Sequence, residues 1–325
     1  VTLSMVDSLI RVRQVIWSVT ICMLVASLYI IKEYVIYSKI YGAGFRPFGG
    51  LFMDTNYYAL SAVMAMPLTF YLAKTTKGAL FRYGLYFTIF IHVFALGLSM
   101  SRGGIVGVVA MLATTIILSK YKSKAFVVIA ILIVLGMLLI PERLMERFRS
   151  TTITTEASSG TVASTTRRWN LIKAGVRMVA EHPVKGVGLG NFKGLSTYYE
   201  PMLGPPGIAH NTFVETAAEL GLPALFFFML IIYFTYRDLL RMRRRSSKDN
   251  ESVLLLNVLI VSFTGFLISG NFLSGQNTKL FWLVIFLSIA IRRYEITGHV
   301  YEYEGPEIKA LGLEHAAVPE RTPSF

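Results

Sequence analysis

Eight long apolar runs follow one another along this chain of 325 residues. Each run is about 14–18 residues at its apolar centre, and a helix with its flanks needs about 20 residues to cross a bilayer. Only helices and closed barrels satisfy every backbone polar group in lipid, and these runs are too long for barrel strands. The runs therefore predict an all-α bundle of transmembrane helices. The predicted spans are 14–31, 57–73, 83–99, 104–119, 125–140, 222–236, 253–269 and 279–292.

The composition argues against a soluble protein. Hydrophobic residues make up 54% of the chain and charged residues 16%, which is typical of a polytopic membrane protein. The single cysteine, Cys22, excludes a disulfide framework or a thiolate metal cluster, and the five histidines show no metal-ligand spacing. We therefore expect no metal and no cofactor. Because the chain starts at Val1, close to an apolar span, we also expect further helices to precede it.

The net charge of +13 would suit a nucleic-acid-binding protein, but its distribution does not. Fourteen basic residues occupy one set of short loops between the spans, and five occupy the opposite set. Basic residues are enriched in cytoplasmic loops, so the first set is predicted to be cytoplasmic and the partner is the lipid bilayer. The first set is Arg11, Arg13, Lys74, Lys77, Arg82, Lys120, Lys122, Lys124, Arg237, Arg241, Arg243, Arg244, Arg245 and Lys248, and the second is Lys32, Lys39, Arg46, Arg102 and Lys279.

This orientation divides the chain into four parts. Residues 1–140 hold the first five predicted spans, and residues 141–221 form one long extracytoplasmic loop. Residues 222–293 hold the last three spans. The polar tail, 294–325, is predicted to be a disordered cytoplasmic end.

The long outer loop contains three distinct stretches. Its Ser/Thr-rich part, 150–166, is predicted to be mobile. Residues 167–183 are predicted to form an amphipathic helix that lies on the membrane surface or over the bundle. The glycine-rich sequence GVGLGNF, 186–192, does not follow a strand in a βαβ unit and lies in the predicted outer loop, so it does not predict a dinucleotide site. The apolar residues of the predicted helix are Trp169, Ile172, Val176 and Val179.

Arginines stand at the predicted outer ends of the spans. Arg102 lies in the sequence SRGG between two spans, and Arg167 and Arg168 open the predicted amphipathic helix. A guanidinium group is well suited to hold a diphosphate through paired hydrogen bonds. Contact with lipid headgroups explains the same three positions equally well from the sequence. Between Arg167 and Arg168, we favour Arg168 as the residue that faces a ligand.

The sequence FRPFGGLFMDTN, 45–56, adds polar residues at the outer end of the second span. Arg46 is a weaker candidate for contact with an anion. Asn56 is predicted to cap the helix of that span, with Asp54 supporting the same turn.

The sequence AHNTFVETAAELG, 209–221, holds the best candidate for acid–base chemistry. Imidazole has a pKa near neutrality, so His210 is suited to accept a proton from a hydroxyl group. A loop histidine or a helix cap is an equally plausible role. Asn211 is predicted to cap a helix that begins near Thr212. Glu215 and Glu219 lie one turn apart on that helix, where a carboxylate is costly unless it faces a wet cavity, and they are predicted to orient His210 or an acceptor sugar.

The order of these motifs resembles the O-antigen ligase and polymerase superfamily of bacterial envelope proteins. G-x-F-x-D-x-N precedes a span, SRGG follows at an outer end, and a long outer loop carries R-W…HPVKGVGLGNF and HN…E-L-G-L. The sequence GQNTKLFWLVIFLSIAI closes the pattern. The resemblance covers about residues 45–292.

The resemblance implies a function. Members of this superfamily transfer a glycan from an undecaprenyl-diphosphate carrier to an acceptor hydroxyl outside the cytoplasmic membrane, without nucleotide or required metal. It implies catalytic roles for Arg102 and one of Arg167 and Arg168 on the diphosphate, of which we favour Arg168, and for His210 as general base. We further predict substrate contacts for a second set, which is Arg167, Arg46, Asn211, Glu215 and Glu219.

The sequence leaves the subtype and two other function classes open. Lipid A-core ligases resemble H-[NSQ]-x9-G-x-x-T-T, and His210, Asn211 and Gly221 fit that spacing, but LPAL replaces the threonines. A polysaccharide polymerase and a protein O-glycosylating relative therefore remain possible. So do a transporter of a small anion, for which His92 and Asn257 are the candidate mid-membrane groups, and a non-catalytic component of an assembly machine.

Overall fold

A computed structural model describes residues 8–41, 45–52, 54–124, 126–127, 159–246 and 250–293. Within these ranges the chain is helical and forms no strand. The helices are α1 (Leu9–Tyr41), α2 (Thr55–Thr75), α3 (Ala79–Ser99), α4 (Arg102–Leu118), α5 (Ser159–Glu181), α6 (Phe192–Tyr199), α7 (Thr212–Arg245), α8 (Asn250–Ser269) and α9 (279–293). Two single-turn 3₁₀ helices span Gly50–Phe52 and Pro201–Leu203.

Four helices are long and apolar enough to cross a membrane, namely α1, α3, α7 and α8. The apolar helix α4 is shorter, with 17 residues. Helix α2 is buried along most of its length because α1, α3, α4 and α8 surround it. The chain is therefore a helical membrane protein. The count of eight spans stays a prediction, and the predicted span 125–140 and tail 294–325 lie almost entirely outside the described residues.

Polar contacts collect at the two ends of the helical bundle. At one end, Arg13 of α1 pairs with Glu251 of α8. At the same end, Arg243 of α7 donates to the backbone oxygen of Leu118, the last residue of α4. Both arginines belong to the set predicted to be cytoplasmic. Arg46, from the opposite set, lies at the other end of the bundle, beside the end of α3. Arginines of the two predicted sets thus lie at opposite ends of the bundle, and the side of the membrane on which each end lies stays a prediction.

Helix α5 confirms the predicted helix in the outer loop, but a different face of it is buried. Trp169, in the predicted apolar stripe, is 60% exposed. The buried residues are Leu171, Ala174 and Met178, which lie toward α6 and α7. Small residues permit this contact, because a Cβ on Gly175 would stand 2.5 Å from a side-chain carbon of α7. The helix therefore packs over the start of α7.

Two element boundaries differ from the predicted ones. Helix α5 begins at Ser159, inside the stretch 150–166 that the composition predicts to be mobile. The rest of that stretch up to residue 158 lies outside the described residues. Helix α7 begins at Thr212 and continues through the predicted span 222–236. The polar residues that follow His210 and Asn211, up to E-L-G-L, therefore share one helix with the membrane span.

That helix is broken at Gly221, where φ is 84° and ψ is 170°. The amide of Leu222 leaves the helix and donates to the backbone oxygen of Pro183 at 2.8 Å. The next residue, Pro223, has no amide hydrogen. The kink consequently leaves the carbonyls four residues before each of these positions without their usual helical donors.

The glycine-rich turn 186–192 supplies the missing donors. The amide of Val187 donates to the oxygen of Ala218 at 2.8 Å, and the amide of Gly188 donates to the oxygen of Glu219 at 2.9 Å. The kink thus accepts two backbone hydrogen bonds from the turn and donates one to Pro183, which precedes the turn. The motif that superficially resembles a nucleotide loop is, in this fold, the partner of a broken helix.

Substitution of Gly186 by alanine is expected to destabilise this junction. Gly186 has a φ of 63°, and a Cβ there would stand 2.3 Å from the carbonyl carbon of Glu219. A side chain in this backbone region costs about 1–2 kcal/mol before any clash. We expect Gly186→Ala to lower the thermal unfolding temperature of the purified protein. The control is Gly194→Ala in α6, where a Cβ would meet no atom within 4 Å and no loss of stability is expected. Equal unfolding temperatures for the two variants would contradict the assignment.

Candidate functional site

A cavity of about 270 Å³ opens where the loop 45–52, the start of α2, helix α5 and the segment before α7 meet. These four segments are far apart in the sequence. The cavity is lined by Arg46, Asp54, Asn56, Arg167, Arg168, Leu171 and His210. The structure therefore brings together three of the arginines and the histidine that the sequence analysis selects.

His210 precedes α7 in an unusual backbone conformation. Its φ is 51°, a left-handed value that non-glycine residues rarely adopt. The ring nitrogen Nδ1 is buried and has no hydrogen-bond partner in the described part of the chain. Because His210 lines the cavity, the second ring nitrogen, Nε2, remains for a ligand.

Burial and neighbouring cations keep the His210 imidazole neutral. Burial lowers its pKa to about 4, and the positive charges of Arg168, Arg167 and Arg46 contribute to the decrease, while Asp54 opposes it. At neutral pH the ring is therefore unprotonated. An unprotonated imidazole is the form that accepts a proton from a hydroxyl group.

Arg167 is held by the loop that leads to His210. Its Nη2 donates to the backbone oxygens of Pro205 and Pro206 at 3.0 and 3.3 Å. Its Nε is buried without a partner among the described residues. Arg167 therefore fastens α5 to the wall of the cavity, and its Nε donor is left for a bound anion.

Arg168 is the more perturbed of the two adjacent arginines. Burial lowers the pKa of its guanidinium group, and the charges of Arg102 and Arg46 lower it further. No acceptor from the described ranges is hydrogen-bonded to it, although the guanidinium group carries five donors. A partly buried cation beside two others is stabilised by a bound anion, which points to the cavity as an anion site.

Arg46 reaches the cavity from the loop before α2. Its Nε donates to the backbone oxygen of Ser99 at 3.0 Å, and its Nη2 lies 3.6 Å from Oδ1 of Asp54. The weaker candidate of the sequence analysis is thus one of the lining cations. Asp54 partly offsets the positive charge of the cluster.

The predicted cap of α2 is corrected by the structure. Asp54 is the capping residue, because its Oδ1 accepts the amide of Asn56 at 2.7 Å. The side chain of Asn56 instead accepts a hydrogen bond from the Ser101 hydroxyl at 2.9 Å. Asp54 and Asn56 also line the cavity, whereas the sequence predicted only a capping role for them. The motif G-x-F-x-D-x-N was the available signal.

Arg102 does not line the cavity. It is the exposed first residue of α4, directly after the capping residue Ser101, and its charge reaches Arg168. The glycines that follow serve helix packing. A Cβ on Gly103 would stand 2.9 Å from the Leu273 side chain. The SRGG sequence therefore places a cation at the rim and lets α4 approach its neighbours closely.

Asn211 caps α7 as predicted. Its Oδ1 accepts the amides of Phe213 and Val214, both at 3.0 Å. Its Nδ2 donates to the backbone oxygen of Asn271 at 3.2 Å. The side chain therefore has a structural role, and its predicted contact with substrate stays a prediction.

The two glutamates of α7 bind protein groups. Glu219 is 4% exposed and accepts the amide of Phe192, the first residue of α6, at 3.2 Å. Glu215 is 6% exposed and accepts the amide of Ala209 at 2.9 Å. Neither carboxylate lines the cavity. The buried carboxylates are therefore stabilised by hydrogen bonds from the protein and not by water in a cavity.

A metal centre finds no support in the described ranges. No group of three or more His, Cys, Asp or Glu side chains there is arranged to hold a metal ion. The cavity is lined chiefly by nitrogen donors, which suit an anion better than a cation.

Comparison with known proteins supports the resemblance seen in the motifs. Residues 87–229 match the family model described as O-antigen ligase. A comparison with curated proteins gives no match. The matched segment includes the three arginines Arg102, Arg167 and Arg168, the histidine His210 and the kink at Gly221. Through this segment, the chain is similar to the O-antigen ligase family, and it is a helical membrane protein.

Proposed function

We propose that the protein transfers a glycan from an undecaprenyl-diphosphate carrier to an acceptor hydroxyl at the extracytoplasmic face of the bacterial cytoplasmic membrane. One observation carries the proposal. Three arginines and a neutral histidine line a single cavity at one end of a bundle of membrane helices. The family match supports glycan transfer as the type of reaction. The acceptor is lipid A-core, a growing polysaccharide or a protein.

The arginines suit the leaving group of this reaction. The donor carries its diphosphate at the boundary between lipid tail and glycan, which is where a polar cavity at the end of a bundle would meet it. As the bond between the anomeric carbon and the diphosphate oxygen breaks, negative charge grows on the diphosphate. Arg168, Arg167 and Arg46 would stabilise that charge, and Arg102 would attract the donor from the rim.

His210 suits the attacking group. The acceptor oxygen forms a bond to the anomeric carbon while its proton moves to Nε2 of His210. The diphosphate leaves on the opposite side with the electrons of the broken bond. Direct displacement inverts the anomeric configuration, and the balanced step needs no metal and no nucleotide. General-base assistance of this kind contributes about 10²–10⁴-fold to the rate.

The hypothesis that the protein transports a small anion is less well supported than glycan transfer. Its two candidate mid-membrane groups are engaged in contacts between helices. Nδ1 of His92 is 2.7 Å from the Ser27 hydroxyl, and the side-chain oxygen of Asn257 accepts a hydrogen bond from Arg243. Such contacts join neighbouring helices. A purely structural role in an assembly machine would leave the arginine cluster beside His210 without a purpose.

Reconstitution of the purified protein tests the proposal. Proteoliposomes that contain an undecaprenyl-diphosphate-linked glycan and a soluble hydroxyl acceptor should yield the glycosylated acceptor with inverted configuration and free undecaprenyl diphosphate. The yield should be unchanged by a metal chelator. Uptake of a labelled anion without glycan transfer would instead identify a transporter. Cells that lack the protein should accumulate the lipid-linked glycan.

The low pKa of His210 predicts a distinctive pH dependence. A base whose pKa is lowered stays active as the pH falls, so kcat/KM should decline only as the pH approaches about 4. Bound diphosphate places negative charge beside the imidazole and raises its pKa. The acidic limb of kcat should therefore lie at higher pH than that of kcat/KM. Rate profiles from pH 4 to 8 measure both limbs, and the reverse order would contradict the assignment.

A further inference from the structure

The loop between α8 and α9 encloses the chain segment that carries the cavity histidine. The amide of Thr212 donates to the oxygen of Gly270 at 2.8 Å. The hydroxyl of Thr212 donates to the oxygen of Leu273 and accepts the amide of Gly275, both at 2.8 Å. Thr212 is fully buried as a result. Thr212, two residues after His210, is therefore fixed to a loop about 60 residues away in the sequence.

Glu215 fixes the residue on the other side of the histidine. Its Oε2 accepts the amide of Ala209 at 2.9 Å and also the hydroxyl of Ser274. Its Oε1 accepts Nε2 of Gln276 at 2.9 Å. Ser274 and Gln276 are themselves buried, with 4% and 8% exposure. A carboxylate this deeply buried is stable only with such a full set of donors.

We infer that Glu215 is a positioning residue for His210. It holds the amide of Ala209 while the loop holds Thr212, so the left-handed backbone of His210 is clamped from both sides. A non-glycine residue stays in that region only when its surroundings impose it. The clamp thus directs the imidazole into the cavity. This inference rests on the proposed function.

The same contacts indicate that Glu215 positions His210 and does not bind the substrate itself. Both oxygens of Glu215 are occupied by donors from the protein, and the residue does not line the cavity. Loss of the clamp should therefore slow the proton transfer and leave the arginine cluster that holds the donor unchanged. In kinetic terms, kcat falls while the KM for the lipid-linked donor stays the same.

The pairing of Glu215 with Gln276 allows a test that preserves shape. In Glu215→Gln, the new amide oxygen can still accept from Ala209 and Ser274. Its nitrogen then faces Gln276, whose Oε1 is buried without a partner among the described residues and can accept after an amide flip. Gln276→Glu instead sets two carboxylates against each other, and the double variant Glu215→Gln/Gln276→Glu restores a donor and an acceptor.

The experiment compares these variants in the reconstituted transfer assay. Glu215→Ala and Gln276→Glu are expected to lower kcat by about tenfold or more, since a small misplacement of a reacting group has effects of that size. Glu215→Gln and the double variant are expected to stay within about threefold of wild type. The matched control is Thr216→Val, which removes a buried hydroxyl bonded to the Thr212 oxygen on the same helix. It should not lower kcat.

Each outcome decides the inference. If Glu215→Ala does not fold, the Gln276→Glu single variant and its restoration by the double variant provide the result. If kcat of Gln276→Glu is normal, or the double variant does not restore it, Glu215 does not position His210. A rise in donor KM without a fall in kcat would instead identify Glu215 as a binding group. Failure of the proposed function gives a different result, because the wild-type protein itself would then show no glycan transfer in the reconstituted assay.

Discussion

Replacement of His210 by asparagine is expected to lower kcat for glycan transfer by about 10²–10⁴-fold, the usual contribution of a general base. Asparagine is the informative substitution because it tolerates the left-handed conformation that His210 adopts, with φ at 51°. Alanine would add backbone strain to the loss of the imidazole. The expected effect falls on kcat, since the arginines that hold the diphosphate are unchanged. Transfer rates at saturating donor, measured on protein that elutes as a folded species, provide the test.

His182→Asn is the matched control for this experiment. His182 is exposed at the end of α5 and does not line the cavity. The same chemical change there should leave kcat at the wild-type value. If His210→Asn also transfers glycan at the wild-type rate, His210 is not the base.

Removal of the Arg168 guanidinium group is expected to be the second large effect. Arg168→Ala takes away a partly buried cation that lacks a protein acceptor in the described ranges, and should lower kcat/KM by about 10²–10³-fold, the range seen when a group that stabilises transition-state charge is removed. Arg168→Lys keeps the charge but not the paired geometry, so an intermediate value is expected. Binding of pyrophosphate to the purified protein, measured by calorimetry, should weaken in the same order.

Two other arginines provide the comparison. Arg177 lies on the same helix as Arg168 but forms an ion pair with Glu200 at 3.0 Å, away from the cavity. Arg177→Ala should therefore retain pyrophosphate binding. Arg102 stands at the rim, and its replacement should have an effect between those of Arg177 and Arg168. Full activity of Arg168→Lys would show that paired hydrogen bonds to the phosphate are not needed at this position.

The sequence was a good guide to the helices and to several of the side chains that line the cavity, for identifiable reasons. A run of apolar residues long enough for a bilayer permits few structures other than a helix. Helix caps are local events, and Asn211 caps α7 as its position predicts. The choice of His210, Arg167 and Arg168 rested on motifs whose order is specific to a family, and the structure places all three on one cavity.

Two predictions were wrong, namely the buried face of α5 and the capping residue of α2. In both places the local sequence offers two equally suitable alternatives. In α5, the stripe through Trp169 and the stripe through Leu171 are both apolar at helical spacing, and only the approach of α7 decides that the second is buried. At α2, Asp54 and Asn56 are both suitable caps. The position of the Ser101 hydroxyl on another helix engages Asn56 and leaves the cap to Asp54.

The sequence alone thus determined that this chain is a helical membrane protein with motifs similar to those of O-antigen ligases, and which side chains are suited to an anion and a proton. Only the tertiary structure decided which of them share a cavity. In the structure, Arg102 lies outside the lining of the cavity and Arg46 lies within it. Glu215 is buried and binds the backbone amide of Ala209, next to His210. The reason is physical: capping and hydrophobic periodicity act within a few residues, whereas convergence of distant segments depends on how whole helices pack against one another.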